Sequence, residues 1–329
     1  MNNTIAHQAQ AFVSAGKHGQ RERLVFDTEM AQITLPADMG DLNAVGGKKA
    51  DDFLIASVAA HAGKNGPGDE GLGDEERRAI EGNMTLREPE IVDLATPSGP
   101  MRTMVLRPAA EGRFPGLLFH SEIFQLTAPI CRTAAALAGH GFIVALPEIY
   151  HEYLPAGTVL GYDQAGSDVG NRLKTEKPVA AYDADNRAVL DYLKSHAACT
   201  GRVGSFGPCI GGHLTYRAAL QPDVAAAACF YPTDLHKRSL GAGMNDDSLV
   251  RAAEIAGELM LVFGRQDPHV PAEGRAMIYQ TLTAAGVKFT WHEFNAAHAF
   301  LRDEGLRYDA ELARQALGMT VDFFRRCLS

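Results

Sequence analysis

The sequence, 329 residues long, lacks several features that point to particular classes of function. It has no excess of basic residues, because 31 lysines and arginines stand against 40 acidic residues and the net charge is −9. Nucleic acid and membrane surfaces are therefore not expected as partners. No stretch approaches the roughly 18 apolar residues of a membrane span. The first residues, Met1 to Gln8, have neither the charged nor the apolar part of a signal peptide. These absences predict a soluble, cytoplasmic protein.

Cysteine is scarce and has no regular spacing, which excludes a disulfide framework and a C-x-x-C zinc site. The five cysteines stand at positions 131, 199, 209, 229 and 327. Two histidine–glutamate pairs also fall short of a metal motif. His292-Glu293 is followed by a histidine only at position 298, too late for H-E-x-x-H, and His151-Glu152 has no matching ligands nearby in sequence. We expect no metal.

A dinucleotide cofactor is not expected either. Gly66 to Gly71 formally matches G-x-G-x-x-G, but no strand precedes it and Pro67 lies inside it. This stretch belongs to a glycine-rich connector, residues 63–73, whose composition is typical of a flexible linker. No other cofactor signature is present, so we expect none.

The chain divides by composition into an N-terminal extension, residues 1–88, and a catalytic domain, residues 89–329. Within the extension, Lys48 to His61 places apolar side chains, among them Phe53, Leu54 and Val58, on one helical face. We therefore expect the extension to be partly helical and packed on the protein. A lid over the site and a contact in a homo-oligomer are the two roles that this face suggests.

From about Pro89 onward, short apolar runs alternate with helical patterns. This alternation predicts an α/β fold with a doubly wound, mostly parallel sheet and helices on both faces. The predicted strands are 91–94, 101–106, 116–120, 142–146, a short strand that begins at Val203, 225–230, 258–263 and 288–294. The predicted helices are 127–138, one containing Tyr182, Val189 and Leu193, the one after Cys209, 272–285 and 308–327.

The stretch Val203 to Leu214 carries the clearest chemical signal. It contains Gly207-Pro208-Cys209-Ile210-Gly211, the nucleophile-elbow pattern G-x-S-x-G with sulfur in place of the hydroxyl. The glycines are needed because strand and helix pass close to the turn. The positive end of the following helix favours a thiolate. The alternative for Cys209 is a small buried hydrophobic residue, as most free cysteines are.

Two further polar residues follow predicted strands downstream of this turn. Asp267 comes just after the strand that ends near Phe263, and His298 follows the strand that ends at Phe294. The order nucleophile, acid, histidine is the order of α/β-hydrolases, in which histidine is the base and the carboxylate fixes its tautomer. Taken singly, Asp267 is also typical of a turn before proline, and His298 of an ordinary loop.

An oxyanion hole is expected beside the elbow. In this fold the loop after the strand 116–120 supplies one amide, which we assign to the backbone N–H of Ile123. The second donor is the N–H of Ile210, directly after Cys209. Two amides aimed at one oxyanion would lower the barrier by several kcal/mol.

These pieces together resemble the dienelactone hydrolase family, which has a cysteine nucleophile on the α/β-hydrolase fold. The resemblance covers about residues 89–329. Its matching segments are Glu122-Ile123-Phe124, Pro147-Glu148-Ile149-Tyr150, Gly207-x-Cys209-x-Gly211-Gly212, Gly264-x-x-Asp267 and Ala297-His298-Ala299-Phe300.

The resemblance implies roles for individual residues. Cys209, Asp267 and His298 would form the triad, and Glu122 would be the carboxylate that interacts with the thiol and with an arginine. Arg302 matches the arginine that binds the substrate's carboxylate. The family takes a second such arginine from the loop after Tyr150, for which Arg172 is the candidate.

The function implied is hydrolysis of small carboxylic esters or lactones, including carboxylate-bearing ones, through a thioester acyl-enzyme. One alternative keeps the triad but cleaves thioesters or transfers the acyl group to an acceptor other than water. Another alternative is a non-catalytic binding module of the same fold, against which the intact set Cys209, Asp267 and His298 counts.

Overall fold

The structure, a computed structural model, describes residues 85–329. The predicted extension lies almost wholly outside these residues, as does its apolar helical face. The strands are β1 Glu90–Thr96, β2 Gly99–Leu106, β3 Phe114–Phe119, β4 Ile143–Pro147, β5 Cys199–Pro208, β6 Val224–Phe230, β7 Glu258–Gly264 and β8 Lys288–Phe294. The α-helices are α1 Ala128–Gly139, α2 Gln164–Glu176, α3 Val179–Ser195, α4 Ile210–Ala218, α5 Ala272–Ala284 and α6 Ala310–Leu328.

Within residues 85–329 the strands form one sheet of eight, in the order β1-β2-β4-β3-β5-β6-β7-β8. The first hairpin is antiparallel, and β2 also pairs antiparallel with β4. The remaining neighbours are parallel. The strand order reverses at β3, so the loops after β3 and β5 meet at the carboxyl ends of the central strands, where sites form in open α/β sheets.

Successive residues of the central strands serve two separate cores, because side chains alternate across a sheet. Leu117 and Phe119 of β3 pack on one face with α1 and α6. Leu118 packs on the other face with α3 and α5. The sheet is thus covered by helices on both sides, as predicted.

Within residues 85–329 the predicted elements are confirmed to within a few residues at their ends. Helix α2 is an additional element that was not predicted, because its contacts involve little apolar surface. Its buried residues are Gly166, Gly170 and Leu173. A Cβ on Gly170 would lie 2.6 Å from the carbonyl oxygen of Ile123, so glycine is what allows the helix to approach that loop.

Residues just ahead of β1 also pack on the domain. Leu86 forms an isolated bridge with Pro108 and packs against the core.

No helix in the part of the chain that the structure describes has both the length and the apolar character needed to cross a membrane.

Candidate active site

The turn at Cys209 has an unusual backbone conformation. Strand β5 ends at Pro208 and α4 begins at Ile210, so Cys209 alone makes the turn. Its φ is 61° and its ψ is −127°, a region that costs a non-glycine residue on the order of 1–3 kcal/mol. Two hydrogen bonds of 3.0 Å hold it there, from its N–H to the carbonyl of Phe230 and from Gly212 N–H to its own carbonyl.

The glycines of this turn are required by close backbone contacts. A Cβ on Gly211 would lie 2.5 Å from the carbonyl oxygen of His120, and one on Gly212 would lie 2.6 Å from that of Phe230. The ends of β3 and β6 therefore approach the first turn of α4 directly. This contact fixes the position of the cysteine against the loop that follows β3.

Cys209 is half-buried and lines a cavity of about 490 Å³. Its Sγ lies 4.0 Å from the hydroxyl of Thr233, which follows β6. The other residues around the cavity come from the loops and the helix at the carboxyl edge of the sheet. They are Glu122, Ile123, Phe124, Tyr162, Ser167, Asn171, Lys174, Asp234, Lys237, His269, His298, Arg302, Leu306 and Arg307.

His298 and Asp267 meet at this edge as expected. His298 Nδ1 donates to Asp267 Oδ2 over 2.7 Å, and both side chains are buried. The other oxygen, Oδ1, accepts the backbone N–H of His269, also over 2.7 Å. Burial alone would raise the pKa of Asp267, but the hydrogen bond and charge of His298 outweigh it and lower that pKa.

The imidazole of His298 lies next to Cys209. Burial disfavours its charged form, but the charge of Cys209 and the bond to Asp267 outweigh burial and raise its pKa to about 10. Two rings pack edge-on against it, with centroid distances of 4.9 Å for Tyr231 and 4.6 Å for His269. Both its tautomer and its orientation are thereby restricted.

The carboxylate of Glu122 lies beside Arg302 at the same cavity. Glu122 Oε2 is 3.7 Å from Arg302 Nη1, and it accepts a 3.3 Å hydrogen bond from the hydroxyl of Tyr162. The guanidinium carbon of Arg302 lies 4.1 Å from the centre of the Tyr162 ring. Burial raises the pKa of Glu122, although the charge of Arg302 works against this shift.

Arg172 is not brought to the cavity. It lies on α2 rather than in a loop, its side chain is exposed, and it pairs with Glu176 over 2.7 Å. The residues that α2 presents to the cavity are Ser167, Asn171 and Lys174. Their spacing of four and three residues defines one helical face, and Arg172 is one position off that face.

Ile123 and Ile210 lie on two sides of the turn at Cys209. Their side chains belong to one apolar cluster, against which Cys209 packs. Ile210 is the first residue of α4, where backbone N–H groups have no partner within the helix. Ile123 lines the cavity. Both residues therefore lie beside Cys209.

One group of side chains in the described residues has the composition of a metal site. His151 and Glu152 are joined by Asp185 of α3, which the sequence order did not reveal, and their ligand atoms lie within 4.8 Å of one another. Lys177 is fully buried and pairs with Glu152 over 2.8 Å and with Asp185. The lysine already supplies the positive charge that this group of acids needs.

Tyr162, Thr233 and His269 were not predicted from the sequence, although all line the cavity with Cys209. Only Thr233 and His269 carried a usable signal. They lie in the loops after β6 and β7, at the same edge of the sheet as the other candidates. Tyr162 lies in a long connection, where strand order gives no information.

The described fold and site can be compared with known proteins. The sequence profile of the dienelactone hydrolase family matches residues 101–328. A relative from Saccharomyces cerevisiae named "Putative carboxymethylenebutenolidase" is 43% identical over 225 residues, which cover 66% of this chain and 82% of the relative. A carboxymethylenebutenolidase from a Pseudomonas species is 27% identical over 222 residues, 66% of this chain and 87% of that protein.

Solved structures agree with this assignment at the level of the fold. A Klebsiella pneumoniae protein described as a "Putative Dienelactone Hydrolase" superimposes with a TM-score of 0.63 at 19% identity, covering 74% of this chain and all of that one. The α/β-hydrolase fold and the family resemblance predicted from the sequence are thus confirmed. The chain belongs to the dienelactone hydrolase family and is a carboxymethylenebutenolidase-like hydrolase.

Proposed function

We propose that the chain hydrolyses small carboxylic esters or lactones with Cys209 as nucleophile, His298 as proton carrier and Asp267 as the residue that orients His298. The observation that carries the proposal is the 2.7 Å bond between His298 and Asp267 at the cavity that Cys209 lines. A thiol, an imidazole and a carboxylate in this arrangement are what acyl transfer to sulfur requires.

In the first half of the reaction the thiolate of Cys209 attacks the carbonyl carbon, and the carbonyl π electrons move to the oxygen. When the tetrahedral intermediate collapses, the C–O bond to the leaving group breaks. The leaving oxygen takes the proton of the His298 imidazolium. The products are an alcohol, or the ring-opened chain of a lactone, and a thioester on Cys209.

In the second half neutral His298 removes a proton from water, and the hydroxide attacks the thioester. Collapse of this intermediate breaks the C–S bond and releases the acid together with the thiolate. His298 keeps the proton, so the starting thiolate–imidazolium pair is restored. Beside the charged sulfur, the charge of Cys209 and the bond to Asp267 raise the pKa of His298 to about 10, so the imidazole keeps this proton at neutral pH.

Stabilisation of both tetrahedral intermediates is assigned to the backbone N–H groups of Ile123 and Ile210. Ile210 opens α4, so its N–H also lies at the positive end of the helix dipole. Loss of one such donor typically costs about 3 kcal/mol in the barrier.

Substrate recognition is assigned to Arg302, with Glu122 as its partner in the empty site. The two lie 3.7 Å apart and both are largely buried. A carboxylate on the substrate would replace Glu122 on the guanidinium through a charge-assisted contact with Arg302. Arg172 is not included, because its side chain is exposed and bound to Glu176.

The test is hydrolysis of p-nitrophenyl acetate by wild type, by wild type alkylated with iodoacetamide, and by Cys209→Ala. We expect alkylation and the substitution each to remove activity by at least about 10³-fold. Cys327→Ala, which changes a half-buried cysteine on α6, serves as the matched control and should keep wild-type activity. Equal turnover by Cys209→Ala and wild type would contradict the proposal.

A further inference from the structure

The side chain of Tyr162 makes two different contacts with the Glu122–Arg302 pair. Its hydroxyl donates to Glu122 Oε2 over 3.3 Å, and its ring lies 4.1 Å from the guanidinium carbon of Arg302. No other residue in the described part of the chain has a contact of each kind with this pair. Tyr162 therefore contacts Glu122 with its hydroxyl and Arg302 with the face of its ring.

The hydroxyl of Tyr162 is oriented by Thr127. The two hydroxyl oxygens are 2.7 Å apart. Because the one proton of Tyr162 goes to Glu122, Thr127 must donate to Tyr162. Thr127 is the N-cap residue of α1, yet its hydroxyl does not cap that helix. Such a cap normally stabilises a helix, and here the hydroxyl is used on Tyr162 instead.

The ring of Tyr162 is fixed as well. It packs edge-on against Phe124 with a centroid distance of 4.7 Å. Burial, followed by the charge of Glu122, raises the pKa of Tyr162 far above its usual value. The hydroxyl therefore stays protonated, and remains a donor, throughout the range in which the enzyme would work.

Arg302 and Tyr162 converge on the same oxygen, Glu122 Oε2. If a substrate carboxylate replaces Glu122 on the guanidinium, as the proposed function has it, one of its oxygens takes this position. We propose that Tyr162 is a specificity-determining residue, whose hydroxyl passes from Glu122 to the carboxylate of the bound substrate. This inference rests on the proposed function, and in particular on the role given there to Arg302.

The experiment compares acidic and neutral esters of equal size. One pair carries the charge on the acyl side, p-nitrophenyl hydrogen adipate and p-nitrophenyl hexanoate. The other carries it on the leaving group, 4-carboxyphenyl acetate and 4-carbamoylphenyl acetate. The ratio of kcat/KM for acidic over neutral ester is measured for wild type, Tyr162→Phe, Thr127→Val and Tyr153→Phe. Tyr153 is a partly exposed tyrosine that does not line the cavity, so its variant is the matched control.

We expect wild type to prefer the acidic member of at least one pair. In that pair Tyr162→Phe should lower the ratio by roughly 10-fold, since a hydrogen bond to a charged group is lost while the ring remains over Arg302. The loss should appear mainly in KM of the acidic ester. Thr127→Val should lower the ratio by less, and Tyr153→Phe should not change it.

A merely structural role for Tyr162 would affect the acidic and neutral esters equally. An unchanged ratio in Tyr162→Phe, with a preference present in wild type, would therefore overturn the inference and leave Arg302 in its role. A wild type without any preference would overturn both assignments. The cysteine mechanism would still stand in that case if alkylation of Cys209 abolished hydrolysis of the neutral esters.

Discussion

Asp267 Oδ2 accepts the Nδ1 proton of His298 over 2.7 Å, although the two residues follow different strands and are 31 positions apart in the chain. Strands β7 and β8 are parallel neighbours, so the turns that follow them lie at the same edge of the sheet. The pairing of the two side chains is thus a direct consequence of the strand order. It leaves Nε2 of the imidazole available for the reaction.

The first prediction concerns this bond. Asp267→Asn keeps the shape of the side chain but presents an amide to His298, which removes the charge and permits the wrong tautomer. We expect kcat/KM for p-nitrophenyl acetate to fall by about 10²- to 10⁴-fold. The free energy of unfolding, measured in urea, shows whether the variant is folded. An Asp267→Asn enzyme with wild-type kinetics would remove the carboxylate from the mechanism.

The second prediction concerns the space at the elbow. In Gly212→Ala the new Cβ would lie 2.6 Å from the carbonyl oxygen of Phe230, which is backbone and cannot move cheaply. We expect the free energy of unfolding to fall by about 1–3 kcal/mol and activity to fall because Cys209 shifts.

Gly318→Ala is the matched control for the elbow variant. Gly318 is an exposed residue of α6, and a Cβ there would have no atom within 4 Å. This substitution should raise the free energy of unfolding by about 0.5–1 kcal/mol. If Gly212→Ala behaved in the same way, the close approach at the elbow would be wrong.

The third prediction concerns Asp246, which supports one wall of the cavity from behind. It accepts the backbone N–H groups of Leu240 and Ser248 and lies 3.3 Å from His213 Nε2. His213 Nδ1 in turn donates to the carbonyl of Thr233, beside Cys209. Burial alone would raise the pKa of Asp246, but the hydrogen bond and charge of His213, aided by Ser248 and Leu240, hold it well below its usual range.

A folded-state pKa below the unfolded value makes the stabilisation by Asp246 pH-dependent. It is fully present above the unfolded pKa of about 3.9 and is lost as pH falls through the lower folded value. We expect Asp246→Asn to reduce the free energy of unfolding by about 2–3 kcal/mol at pH 7. The difference from wild type should shrink below about pH 4. Asp322→Asn, which changes an exposed residue of α6, should show neither effect.

Most of the fold could be predicted from the sequence because the central strands are continuous apolar runs. Leu117 to Phe119 and Leu259 to Phe263 are buried along their whole length. Short apolar runs of this kind are typical of strands in a parallel sheet that is covered on both faces. Helix α2 had no such signal, since it packs through Gly166 and Gly170 rather than through an apolar stripe. Missing this helix is also the reason why Arg172 was expected in a loop at the site.

Some residues of the candidate site could likewise be predicted from the sequence, and others could not. Cys209, Asp267 and His298 were predictable because each directly follows a strand, and strand ends converge. Tyr162 was not predictable, because its contact with Glu122 joins residues 40 positions apart through an irregular connection. The group of His151, Glu152 and Asp185 was not predicted for a similar reason, since Asp185 comes from a separate helix.

The central claim is that the acyl group is carried on the sulfur of Cys209. The most direct measurement is intact-protein mass spectrometry after rapid acid quench of enzyme mixed with p-nitrophenyl acetate, followed by mapping of the modified peptide. The account predicts a transient acetyl adduct on the peptide that contains Cys209. The adduct should be absent from Cys209→Ala. An acetyl adduct of equal yield in Cys209→Ala, or one that maps to another residue while the esterase activity persists, would contradict the account.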